Sequence, residues 1–485
     1  MDDTIYCYSR AVEHPALIAA KEVVRTMTLR GCTALIVGGA VRDLILNREI
    51  REVDLVTDMR PEDMSSLFRT YEPGKSRDFK TLCIVHRGHH FETTMFRGIE
   101  WGIKPERLHC QGEQYKNFIL FQDAAHRDFT INAMFLDEEF NLIDPHNGLK
   151  DLRAGLLKGV QDPPERFRED PLRMLRAVRL SVQLGLRLEK YTFSSIKFLA
   201  HRITWVAPER LGSEIFKMAS LSGPEFAKGM EMMEETGLLG LLLPEVQALK
   251  DISGVADQRR RNLFEQTVAV LIQNRAARPE LNLALLTHAL GRPETGGFDP
   301  AGPVHTGSRG YEPKLIQDMS KRLRLAKKTV QAMHAVAARH RRIENIHQLQ
   351  PSQIVNMIED RHWNLLVTAT RCIVAARKGK AAKKFDENLS LAMNKVSHAV
   401  SELNRSGVRV KTVITGRQVM ENTGLEPGPA VGRIIRETTM WARDHHILDE
   451  EKIISHARQL AQMIRMEEDL RSSVLSGPDH GENQS

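Results

Sequence analysis

The sequence predicts an α/β head built on a small mixed sheet, followed by a long all-α remainder. Two observations carry this. Up to about residue 150, short apolar runs (Thr33 to Val37, the stretch around Val53, Leu82 to Val85, Phe91 to Met95) alternate with helical patterns and Gly-containing turns. From about Pro163 onward such runs disappear and apolar residues recur at helical spacing. At 485 residues the chain is too long for one core and is expected to divide into about three or four domains.

Taken in order, residues 13–31 have helical apolar spacing and close on Gly31, and Thr33 to Val37 forms a short strand. A Gly38-Gly39 turn follows, then the first turn of a helix through Asp43. Glu52-Val53-Asp54 reads as a second strand, on which Glu52 and Asp54 point the same way, about 6–7 Å apart, close enough to share metal ions. Glycines let the backbone approach a triphosphate at a helix N-terminus, where free N–H groups favour anions. Pro61 opens another helix, and the Arg87-Gly88 turn separates the last two strands. The unit is expected to carry its helices on one side of the sheet.

The segment from Asp170 to Leu186 reads as one helix, with Arg173, Arg176 and Arg179 as a basic stripe. Directly after a phosphate-and-metal unit, that stripe is a candidate for nucleotide or RNA contact. Helices continue through 208–243. Basic runs at Arg259-Arg260-Arg261, Lys321-Arg322, Lys327-Lys328, Arg339 to Arg342 and Arg377 to Lys384 then suggest polyanion binding in 257–384. Gly291 to Gly310 reads as a loop, and the chain from about Glu467 as a polar, disordered end.

The balance of 69 basic against 62 acidic residues permits a polyanionic partner without demanding one. Five scattered cysteines with no CxxC spacing suit reduced thiols in a cytoplasmic protein. The acidic Met1-Asp2-Asp3 start gives no expectation of a secretory leader, and no apolar stretch approaches the length of a membrane span.

Three further clusters complete the chemistry. Glu92 supplies a third carboxylate beside Glu52 and Asp54, and divalent ions held there would clamp the entering and leaving oxygens of a triphosphate. Arg127-Asp128-Phe129-Thr130-Ile131-Asn132 offers a basic side chain for phosphates and an amide for a sugar. Glu169, Asp170 and Arg173, read as the start of a helix, offer an acceptor and a donor for a base edge. Phosphate turn and paired carboxylates together point to nucleotidyl transfer.

The segments GGAVRD, EVD, FETTMFR, RDFTINAMFLD, DPHNGLKDL and RFREDPLRMLRAVR, in this order, resemble the class II tRNA nucleotidyltransferase and bacterial poly(A) polymerase family, densely from about 35 to 245. The resemblance implies a polymerase-β-like nucleotidyltransferase head over residues 1–150 and a base-recognising helical neck over 151–250. It further implies an RNA-binding, degenerate HD-like body over 251–400, a tRNA-binding tail over 401–466 and a disordered 467–485. It implies template-independent addition of C and A from CTP and ATP to a tRNA 3′ end. The alternatives are a poly(A) polymerase, an enzyme adding only C or only A, or an RNA-binding relative with little activity. Carried onto this chain, Gly38, Gly39 and Arg42 would hold the triphosphate, and Glu52 and Asp54 would bind Mg²⁺ with Glu92 beside them. Arg127, Asp128, Asn132 and Arg176 would contact the nucleotide, and Glu169, Asp170 and Arg173 would act as an amino-acid template for the base. Departures are Glu52 for the family's first aspartate, His126 for an arginine, and a linking segment 98–126 that keeps Asp123 but lacks the usual Tyr/Arg-rich pattern. Phe79-Lys80-Thr81 and Ile414 to Met420 lean towards the tRNA enzymes. Ala289 replaces the aspartate of an HD metal site, so His288 and His305 read as structural.

Overall fold

The computed structural model describes residues 11–72, 81–97, 113–252, 262–290, 313–377, 380–405, 414–444, 447 and 449–475. The chain divides into two compact units, residues 1–297 with 312–330, and 298–311 with 331–485.

The first unit opens with helix α1 (Pro15–Thr28), strand β1 (Ala34–Val37), the short helix α2 (Gly39–Ile45) and β2 (Val53–Thr57). Helix α3 (Pro61–Leu67), β3 (Arg69–Tyr71) and the hairpin β4 (Leu82–His86) and β5 (His89–Met95) follow. Then come α4 (Glu113–Ala125), β6 (Phe135–Leu136), β7 (Leu142–Ile143), α5 (Gly148–Arg153) and β8 (Leu156–Leu157). Seven strands form one sheet in the order β3-β4-β5-β2-β1-β6-β7. It is mixed, because β2 runs parallel to β5 while β1 is antiparallel to both β2 and β6.

Register and alternation decide what each face carries. Leu35 lies opposite Val56, and Val37 lies opposite both Asp54 and Phe135, so these side chains share a face. Ile119, Leu120 and Ala124 of α4 pack on Leu35, Val37, Val56 and Phe135 there. Ile36, Leu55 and Phe91 point the other way and are also buried, on the face crossed by α1. Helices therefore cover both faces, correcting the one-sided arrangement expected, because the central strands are apolar on both sides.

Glu52 lies just before β2, on exposed chain, and not within the strand as the sequence reading placed it. Asp170 does not begin a helix. Helix α6 (Pro163–Glu169) ends before it and α7 (Leu172–Leu184) starts after it, with Asp170 extended at φ −140° and ψ 97°. Pro171 explains the break, since its ring disfavours a helical conformation at the preceding residue. A further difference is β9 (Arg187–Leu188), which pairs in parallel with β8 beyond the point where strands were expected to end.

The rest of this unit is helical, including α8 (Lys190–Leu199), α9 (Pro208–Ala219), α10 (Gly223–Glu235), α11 (Leu238–Leu242) and α12 (Pro244–Gln247). The Gly291–Gly310 stretch, Phe79, Lys80, Arg259 to Arg261 and His305 lie outside the described residues. Elsewhere several basic runs are paired and not open: Arg322 with Glu245 at 2.6 Å, Arg339 with Asp360 at 2.6 Å, and Arg377 with Glu344. His288 is buried, its Nδ1 2.6 Å from the Leu285 carbonyl oxygen. In the second unit, Ile414, Val419, Ile434, Ala457 and Ile464 build a separate core. Its last helix runs through Glu450–Leu475, past Glu467 where disorder was expected to begin. Among the described residues no helix is long and apolar enough to cross a membrane.

One glycine seats the turn on which the site is built. A Cβ at Gly148 would stand 2.2 Å from the Thr130 carbonyl oxygen, so α5 can pack against residues 130–132 only without a side chain there. Gly148→Ala is expected to destabilise the fold by about 1–3 kcal/mol through this overpacking, read as a lower urea midpoint with an unchanged slope.

Candidate nucleotide-binding and catalytic site

The β1–α2 connection turns at Gly38, whose φ of 78° and ψ of −130° suit glycine and strain any other residue. The turn lies between two charges. From the place a Gly38 Cβ would occupy, Arg127 Nη1 is 3.7 Å away and Asp54 Oδ2 3.9 Å. Asp54 sits beside Glu92 in the parallel β2–β5 register, so both carboxylates leave the same face of the sheet.

Asp54 and Glu92 open to solvent, yet protein surrounds Asp54 closely enough to desolvate it. That desolvation, reinforced by the negative charges of Glu92 and Glu52, pushes the Asp54 pKa up to about 6, against partial relief from Arg127 and Arg176. Accumulated negative charge that opens to solvent is what a divalent cation neutralises. Among the described residues no group of three or more His, Cys, Asp or Glu side chains is gathered into a metal cage. Asp54, Glu92 and Glu52 suit instead an ion that takes one or two carboxylates and completes its shell with water and phosphate oxygens, as Mg²⁺ does.

Arg127 is aimed by two contacts. Its Nε donates to Asp123 Oδ2 at 2.7 Å, and its guanidinium lies 5.4 Å from the Phe135 ring centroid. Asp123 is fully buried and also accepts from the Arg97 backbone N–H at 2.9 Å.

Arg42, expected at the triphosphate, is buried and engaged on every nitrogen that can donate sideways. Its Nε and Nη2 each donate to Asp43 at 2.9 Å, and Nη1 donates to Asn132 Oδ1 at 2.6 Å. Asn132 Nδ2 donates to Asp128 Oδ1 at 3.0 Å. Asp128 Oδ2 receives Arg176 from α7, through Nε at 2.9 Å and Nη2 at 2.6 Å. Burial alone would raise the Asp128 pKa, but Arg176, the Asn132 amide and Arg173 outweigh it and hold the carboxyl well below its usual range.

The arginine stripe of α7 is turned largely into the protein. Arg173 Nη2 donates to the His126 carbonyl oxygen at 2.8 Å, and Nη1 bridges to Glu169 at 3.2 Å. Arg179 is buried against Glu214 of α9 at 2.6 Å. Glu169 ties Arg173 of α7 to Arg166 of α6. Asp170 Oδ2 accepts from Arg210 of α9 at 2.8 Å, a contact the sequence reading missed because nothing local links positions 40 residues apart. Asp43, Arg97 and Glu214 were missed likewise. Every expected residue from Gly38 to Arg176 thus falls in the first unit, with Arg42, Asn132, Asp128 and Arg176 joined in one hydrogen-bonded chain.

Residues 34–158 match the poly A polymerase head domain, and residues 185–250 match the probable RNA and SrmB-binding site of polymerase A. The CCA-adding enzyme of Geobacillus sp. (strain WCH70) is 36% identical over 230 residues, 46% of this chain and 53% of its own length. That of Geobacillus stearothermophilus is 34% identical over 290 residues, 59% of this chain and 66% of its own. The chain thus spans about half to two thirds of the length of these curated relatives. Among solved structures, the Bacillus stearothermophilus CCA-adding enzyme in complex with CTP has a TM-score of 0.60 at 24% identity, covering 94% of this chain and 99% of that one. The Thermotoga maritima CCA-adding enzyme complexed with tRNA has a TM-score of 0.56 at 16% identity, covering 93% and 97%. These two likenesses establish the fold, a polymerase-β-like head followed by helical domains.

The Asp54 titration has a defined sign. Its folded pKa, about 6, exceeds the ordinary value of 3.8, so the folded state binds the proton more tightly and this group's cost to stability fades as pH falls through about 6. In divalent-free buffer, Asp54→Asn is expected to raise the melting temperature at pH 7 and to raise it by a clearly smaller amount at pH 5, the difference vanishing only below the ordinary carboxylate value of 3.8. A pH-independent shift in the melting curves would contradict the assignment.

Proposed function

We propose that the chain, which matches the poly A polymerase head domain and resembles CCA-adding enzymes, is a member of the family of class II tRNA nucleotidyltransferases and bacterial poly(A) polymerases and adds C and A residues from CTP and ATP to the 3′ end of tRNA, releasing pyrophosphate without a nucleic-acid template. The observation that carries this reading is the pairing of Asp54 with Glu92 beside Gly38 and Arg127, an arrangement RNA binding alone does not require. The relatives at 34–36% identity, all CCA-adding enzymes by name, favour tRNA end synthesis or repair over poly(A) synthesis. Cytoplasmic residence accompanies this reading. The head is assigned to 1–150, the base-reading neck to 151–250, and the RNA-binding body and tail to 251–400 and 401–466.

In the reaction, the RNA 3′-hydroxyl oxygen attacks the α-phosphorus in line, its bond forms as the bond to pyrophosphate breaks, and the hydroxyl proton is lost. The glycine turn at Gly38 and Gly39 lets the triphosphate approach the backbone closely, and Arg127, held by Asp123, offsets its charge. Asp170 and Arg173 present an acceptor and a donor to the base edge. Accepting the base requires Asp170 to share or exchange its contact with Arg210. A divalent cation held by Asp54, Glu52 and Glu92 would supply neutralisation of the triphosphate and activation of the attacking hydroxyl. Positioning and electrostatics thus supply most of the acceleration.

The test is extension of tRNAs ending before CCA, after C and after CC, with Mg²⁺ and with CTP or ATP singly and together. The reading predicts stepwise C, C, A addition that stops. Long A tails on unrelated RNA would replace it with the poly(A) polymerase reading, and extension of no substrate would refute nucleotidyl transfer. Asp54→Ala should lower incorporation on the order of 100-fold or more, whereas Glu52→Asp should keep or raise it. A large loss in Glu52→Asp would show a site adapted to the longer side chain.

A further inference from the structure

Asn132 stands at the midpoint of a buried polar chain, and both ends of its amide are spoken for. Arg42 Nη1 can only donate, so the atom it meets at 2.6 Å is the amide oxygen. The amide nitrogen is then fixed towards Asp128 Oδ1, 3.0 Å away. With the residue only 8% exposed, little of the amide remains for a sugar hydroxyl, the contact its sequence position suggested. On one side the chain continues through Arg42 to Asp43, in the helix that follows the glycine turn. On the other it continues through Asp128 to Arg176, one turn along α7 from the base-reading Arg173. Asn132 ends a turn of 3-10 helix (Thr130–Asn132) that Asp128 shortly precedes, so a shift in either is transmitted within a few residues.

We propose that Asn132 is a positioning residue that couples the triphosphate half of the site to the base half by holding Arg42 and Asp128 in one geometry. The inference rests on the reading of this cleft as a nucleoside triphosphate site. Its consequence is specific: triphosphate and base each bind through their own contacts, but a whole nucleotide gains extra affinity because both sets are already in register. Losing Asn132 removes that gain and leaves the separate contacts in place. A merely structural role would weaken everything together.

Two variants separate these cases. Asn132→Ala deletes both hydrogen bonds. Asn132→Asp keeps an oxygen for Arg42 and sets a second one against Asp128, opening that side of the chain with little change in volume. Each full-length variant is titrated with CTP, inorganic tripolyphosphate and CMP in Mg²⁺, and its melting temperature is recorded. The proposal expects tripolyphosphate and CMP affinities within about 3-fold of the unmodified protein, with CTP weakened about 10- to 100-fold in both variants. In turnover, KM for CTP should rise and discrimination of CTP from UTP should fall. Equal weakening of CTP and tripolyphosphate, or CTP binding unchanged in Asn132→Asp, would overturn it. These binding readings do not depend on turnover. An unmodified protein that binds CTP but extends no RNA would therefore count against the proposed function and leave the coupling standing.

Discussion

The Asp128 carboxylate and the Arg176 guanidinium meet through two donors, at 2.9 and 2.6 Å, and on this pair the site depends. Asp128 comes from the loop that follows α4 and Arg176 from α7, and together with the Arg173 contact to the His126 carbonyl oxygen their pairing fixes how the loop and the helix meet. Removing one partner of such a buried pair leaves an uncompensated charge, a cost of roughly 3–5 kcal/mol when burial is complete. Here Arg176 retains about a third of its exposure, so the cost is smaller. Both donors converge on Oδ2, while Oδ1 accepts from the Asn132 amide and the Phe129 backbone N–H, so the carboxylate is fixed in orientation as well as distance.

Around that pair the protein satisfies its charges internally, which shapes how a nucleotide must enter. Arg173 rests on the His126 carbonyl and Glu169, Asp170 on Arg210, and Arg127 on Asp123. In the proposed reading an incoming phosphate and base would replace some of these contacts and not water alone. The carboxylates form the exception. Asp54, Glu92 and Glu52 repel one another, and that strain is relieved only when positive charge arrives. Glu52 in place of aspartate is easier to accept in this setting. It precedes β2 on exposed chain, where its extra methylene, about 1.5 Å of reach, meets no fixed strand geometry.

Much of the arrangement was legible in the chain itself. The apolar runs marked β1, β2, β4 and β5 closely, and the Gly38-Gly39 pair marked a turn whose dihedral angles do suit glycine. The acidic spacing located Asp54, though alternation along a strand was extended one residue too far at Glu52. The arginine stripe shows where periodicity ends as a guide: spacing places Arg173, Arg176 and Arg179 on one helix face but cannot tell whether that face meets solvent. Their partners Asp128 and Glu214 lie 48 and 35 residues from them, beyond any local pattern. The break at Asp170 was readable, since Pro171 follows it, and helical apolar spacing on both sides masked it. For Arg42 the resemblance implied a triphosphate contact, and the chain alone does not show that Asn132, 90 residues away, accepts from it beside the neighbouring Asp43.

The dependence of the whole site on the Asp128–Arg176 contact can be measured by a double-mutant cycle on CTP affinity in Mg²⁺, comparing Asp128→Asn, Arg176→Gln and the combination in the full-length protein. If the pair is what joins the two halves, each single variant weakens CTP binding about 10- to 100-fold and the combined variant is scarcely weaker than the worse single one. Losses that multiply would show that the two residues act independently and that something else holds the halves together.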